Sequence, residues 1–154
     1  MKITSLLLLT LVFSNLSAQS GKEEVDFMQS VFGMEKKALV AEFVKPNDAQ
    51  KDAFWQLYDE YEVARKELGK LRIELLLKYE ENFDNLSHEI AGELLKESLA
   101  LAKKNDKLVA SYVKKVKKAT DPVVAMQFHQ IEMYVMSEIR LALSEGLPFP
   151  EVKQ

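Results

Sequence analysis

The sequence predicts an all-α fold: about four helices in a curved helical-hairpin or bundle arrangement, assembled as a dimer. Three observations predict it. Beyond residue 20, apolar residues recur every three or four positions, and no stretch shows the alternation of a half-buried strand. The four prolines, Pro46, Pro122, Pro148 and Pro150, fall at the ends of those periodic segments rather than inside them. The 154 residues are 47% hydrophobic, enough for one domain with a single core.

The first helix is expected over residues 23–44. Val25, Met28, Phe32, Leu39 and Phe43 fall on one side, and Phe27, Val31 and Ala38 widen the stripe. Gly33 is a soft spot in its middle. Pro46 stops the helix, because the residue before a proline is biased out of the α region.

The second begins at "NDAQ", where Asn47 is a good N-cap and Gln50 is placed to complete a capping box. Phe54, Leu57, Tyr58, Tyr61, Ala64, Leu68, Leu75 and Tyr79 then carry the apolar face to about Phe83. Arg65 and Arg72 project from the middle of that face. A buried guanidinium must find acceptors. Two readings follow: the arginines snorkel or pair with carboxylates, or the face is a partly wet dimer interface.

Ser87 caps the third helix, with Glu89 in its first turn. Ile90, Leu94, Leu101, Leu108, Val109, Tyr112 and Val116 form its apolar side. On the opposite side, Lys96, Lys103, Lys107, Lys114 and Lys118 repeat with spacing 7, 4, 7, 4 and share one stripe. A run of charge is usually a solvated face. This stripe lacks acidic residues, however, so it sets a positive field on a protein whose net charge is −3.

Asp121 caps the fourth helix with Pro122 at its first position; Gly146 and Pro148 end it. Its core side reads Val124, Phe128, Ile131, Val135, Ile139 and Ala142. Across from it lie Met126, His129, Met133, Met136 and Leu143. A helix apolar on two nearly opposed faces is either sandwiched in a core or meets a partner. Methionine suits the second role because its side chain is flexible and polarizable.

The N-terminus reads as a signal peptide. Lys2 precedes the apolar run "ITSLLLLTLVF" and the small-residue exit "SNLSAQS", which places cleavage after Ala18. Residues 1–18 are then the signal peptide, 19–148 a single helical domain and 149–154 a short tail. No cysteine is present, which excludes disulfides, thiol catalysis and cysteine-ligated zinc. The mild acidity argues against a nucleic-acid partner.

The chain carries no Gly-rich phosphate loop, no HExxH and no Ser/His/Asp arrangement, so neither an enzyme nor a cofactor is expected. His129, Glu132 and Met133 are the weaker alternative, a metal site. Imidazole, carboxylate and thioether together point to copper or nickel, but the set is thin.

"PNDAQKDAFWQLYDEY", from Pro46, resembles the first LTxxQ-type segment of the Spy/CpxP-like periplasmic proteins, with Gln50 in the glutamine place. "LSHEIAGELL", from Leu86, resembles the second, with Ile90 replacing the glutamine. "FWQLYDEY" and "FHQIE" are similar to segments of exported Gram-negative relatives, and the similarity covers most of residues 44–148. The resemblance implies a helical, often dimeric cradle in the periplasm. It also implies ATP-independent holding or refolding of unfolded envelope proteins on apolar and basic surfaces. Other members regulate envelope-stress sensors in the membrane or sense metals through His, Glu and Met ligands. The client-binding residues expected here are Lys96, Lys103, Lys107, Lys114, Lys118, Met126, Met133 and Met136. The alternative is a stress or metal sensor that binds a membrane signalling partner.

Overall fold

A computed structural model describes residues 21–150, with side chains from Phe32 onwards. The expected signal peptide, residues 1–18, and the last four residues of the tail lie outside the described residues. Four helices make up the fold: α1 Gly21–Phe43, α2 Lys51–Asn82, α3 His88–Ala119 and α4 Pro122–Gly146. No strand occurs among the described residues.

Local chemistry sets the boundaries. Before α2 the chain forms a turn in which Asn47 Oδ1 accepts from the Gln50 N–H at 3.1 Å, while Gln50 Oε1 accepts from the Asn47 N–H at 3.2 Å. These reciprocal bonds have the form of a capping box. The helix proper starts only at Lys51, because residues 48–50 are wound as that turn. A single 3-10 turn, Phe83–Asn85, follows α2. Ser87 Oγ accepts from the Ile90 N–H at the start of α3. At the start of α4, Asp121 Oδ1 accepts from the N–H groups of Val123 and Val124, with Pro122 beside it.

Each helix runs antiparallel to its chain neighbours. Lys37 meets Asp59 and Lys36 meets Glu62, which sets α1 against α2. Tyr61 meets Tyr112 while Lys78 reaches Glu97, which sets α2 against α3. α3 packs on α4, and α4 in turn packs on α1, so the four elements close a ring. α2 and α4 run parallel across it: Gln50 reaches Asp121 at one end, and the Tyr79 hydroxyl donates to the Pro148 carbonyl at the other.

The tightest packing lies at the end of the ring near Pro46 and Asp121. Val40 and Val44 meet Phe54, Tyr58 and Tyr61 of α2, Tyr112 and Val116 of α3, and Val124, Phe128 and Ile131 of α4. The rings of Phe54, Tyr58 and Tyr61 each lie edge-on to Phe128, with centroids 5.3–6.5 Å apart. Edge-to-face contacts of this kind add to the burial of large apolar area. Towards the other end the packing thins. The last buried residue of α2 is Arg65, and Leu95 and Leu99 of α3 are exposed. The reason is the length of α4. Arg140 stands level with Asp106, and α4 ends at Gly146, so the first turns of α3 project past it.

Candidate functional site

The open face of the fold is a groove of about 560 Å³ between α3 and α4. α3 supplies Asp106, Val109, Val113 and Lys114; α4 supplies His129, Met133, Met136 and Arg140. The groove exists because α3 turns small or short residues towards α4 along this line. Ala110 and Val113 leave room beside the flexible Met133 and Met136 of α4.

The lysine and methionine stripes therefore meet, at one point. Lys114 lines the same groove as Met133 and Met136. Lys96, Lys103, Lys107 and Lys118 are exposed on α3 and do not line it. Lys115, one position on, lies over the Tyr112 ring at 4.1 Å.

Along its exposed side α4 presents a row of apolar side chains, Val123, Met126, Met133, Tyr134 and Leu141, of which Met133 also lines the groove. Met126 is 61% exposed and Met133 41%. These residues recur at helical spacing opposite the buried Val124, Phe128, Ile131 and Val135, so α4 is apolar on two faces. Met136 and Leu143 need correction, because they do not belong to the outer row. Both are half-buried and line an inner cavity, where Met136 Sδ lies 3.7 Å from each terminal nitrogen of Arg72. Met136 stands between the cavity and the groove and lines both.

Beneath the groove lies a buried polar network that periodicity alone does not reveal. Lys36 Nζ stands 2.6 Å from Glu62 Oε1 and 2.8 Å from Glu132 Oε2, its hydrogen-bond acceptor. The second Glu132 oxygen lies at ion-pair distance, 2.7 Å, without hydrogen-bond geometry. The Tyr61 hydroxyl donates to Glu132 Oε2 at 2.6 Å, and Arg65 Nε donates to both oxygens of Glu62. Burial, followed by the Glu132 charge and its hydrogen bond, pushes the Tyr61 hydroxyl far above its ordinary range. Burial and then Glu62 do the same to Tyr58. The signal for this network is present in the sequence. Lys36, Arg65 and Glu132 each interrupt an apolar face on a different helix, and their signs are complementary.

The network changes the metal alternative. His129 and Met133 are exposed on the groove, but the Glu132 carboxylate is buried and held by Lys36 and Tyr61. No group of three His, Cys, Asp or Glu side chains able to hold a metal occurs among the described residues.

The capping residues form a separate cluster. Gln50 Nε2 donates to Asp121 Oδ2 at 2.9 Å, so the residue that closes the turn before α2 also holds the cap of α4. The Val124 N–H, and then the Gln50 side chain, hold the Asp121 carboxyl below its usual value.

Comparison with protein-family models, curated proteins and solved structures gives no match to the chain.

Proposed function

We propose that the protein is an exported, non-enzymatic binding protein that holds unfolded or partly folded envelope proteins. Clients lie along the exposed apolar row of α4 and in the adjoining groove. The lysines of α3 attract acidic and unstructured segments. The single observation that carries this reading is the shared groove: Lys114, Met133 and Met136 line one concavity. Flexible apolar side chains beside a positive charge suit partners of varied sequence, because the methionines repack and the charge steers encounter. The LTxxQ-like segments at Asn47–Gln50 and Ser87 favour the same reading, as does the exported context expected from residues 1–18.

A denatured client that aggregates on dilution tests the proposal. Light scattering is expected to fall when the protein is present at an equimolar ratio. Lys103→Glu with Lys107→Glu, or Met133→Glu, should weaken the protection while circular dichroism stays unchanged. Scattering that is the same with and without protein contradicts the reading. The dimer expected from the sequence would draw on the same row, and sedimentation separates the two uses. A dimer that dissociates as client is added supports the shared surface.

A further inference from the structure

A second hollow lies between α1, α2 and α4, bounded on the groove side by Asn105, Glu132 and Met136. Its volume is about 160 Å³, far more than the ~10–15 Å³ that one water requires. Phe32, Leu68, Ile73, Ile139 and Leu143 make its walls almost wholly apolar. Its polar lining is Arg65 and Arg72, with Lys36, Asn105 and Glu132. The two arginines stand seven residues apart on one face of α2, about 10 Å along the axis, within reach of a common anion.

Each guanidinium keeps hydrogen-bonding capacity that the described residues leave unused. Arg65 is 8% exposed, and its Nη2 has no hydrogen-bond acceptor. Arg72 is half-buried and, among the described residues, meets only the Met136 thioether, a weak acceptor. Charge counting points the same way. Three cations, Lys36, Arg65 and Arg72, stand around two carboxylates, Glu62 and Glu132. Lys36 and Arg65 already engage both carboxylates, which leaves Arg72 without a counter-ion among the described residues. A guanidinium does not shed its proton to escape burial, and an unpaired buried charge is costly. The apolar walls determine the rest of the ligand, because an inorganic anion would leave them without contacts.

We propose that this cavity binds a monocarboxylic acid with an apolar body, of the medium-chain fatty-acid class. Arg72 and the free Nη2 of Arg65 hold the carboxylate. The chain lies against Ile73, Ile139 and Leu143. The site adjoins the client groove, with which it shares Asn105, Glu132 and Met136.

Calorimetric titration of the purified full-length chain with octanoate tests the assignment, with octanol and octylamine as matched controls. Octanoate is expected to bind saturably and to raise the melting temperature in proportion to its occupancy. The two controls are expected to bind at least about tenfold more weakly, the value of one charge-assisted hydrogen bond. Arg72→Met should weaken octanoate by a similar factor. Ile139→Trp should fill the cavity and abolish binding while the helical circular dichroism is retained. Octanol binding as tightly as octanoate, no saturable octanoate binding, or full affinity in Arg72→Met would each overturn the proposal.

Discussion

Lys36 of α1 and Glu132 of α4 are 96 residues apart in sequence and meet in a 2.7 Å ion pair, with side-chain exposures of only 1% and 3%. The pair closes the ring of helices where α1 faces α4. Two charges taken out of water lose hydration that their mutual attraction only partly returns. Here further bonds from Tyr61 and to Glu62 complete the set. Removing one partner strands the other. Lys36→Met and Glu132→Leu should each cost about 3–5 kcal/mol. The double variant should cost clearly less than the sum, because Glu62 keeps Arg65 as its partner. Urea unfolding of the four proteins in this cycle measures the coupling.

The pH dependence follows from the shifted groups. Tyr58 and Tyr61 have folded values raised above the ordinary 10.0. Their contribution is fully present below that value and is lost as pH rises beyond it, because the unfolded chain releases protons that the folded chain retains. The melting temperature should therefore fall above about pH 10, and Tyr61→Phe should flatten that decline. Asp121 has the opposite sign. Its folded value is depressed, so its contribution is present above the unfolded value and is lost as pH falls through the folded one. Asp121→Ala should lower the melting temperature at neutral pH and make the acid limb shallower.

The two faces of α4 should differ sharply in a truncation series. Phe128 is fully buried among three aromatic rings, so Phe128→Ala should cost about 3–5 kcal/mol. Met133 is 41% exposed on the outer side of α4, so Met133→Ala should change stability by no more than about 0.5 kcal/mol. The fluorescence of Trp55, the only tryptophan, reports unfolding because its ring packs edge-on to Phe54 and Tyr58.

The parts of the fold legible in the sequence are those that local chemistry determines. Pro46, Ser87 and the Asp121–Pro122 pair mark helix boundaries through capping and backbone restriction, which act within a few residues. The buried positions Phe54, Tyr58, Phe128 and Ile131 follow from helical period. What periodicity does not supply is which face of one helix stands opposite which face of another. Met136 turns inward because Arg72 lies there, and Arg65 finds Glu62 one turn away while its Nη2 stays unpaired. Leu95 and Leu99 stay exposed only because α4 is too short to reach them. The meeting of Lys114 with Met133 depends on the rotation of α3 against α4, which no single helix encodes.

The central claim is that the α4 row and its groove receive clients, and the methionine methyl groups report on it directly. Met126, Met133 and Met34 are all exposed, but Met34 lies on α1, away from both the α4 row and the groove. Methyl NMR spectra recorded with an unfolded client and with the same protein folded make the comparison. The account predicts that the unfolded client shifts or broadens the signals of Met126 and Met133 and leaves Met34 unchanged, while the folded protein moves none. Equal responses from all three methionines, or no response to the unfolded client, would contradict it.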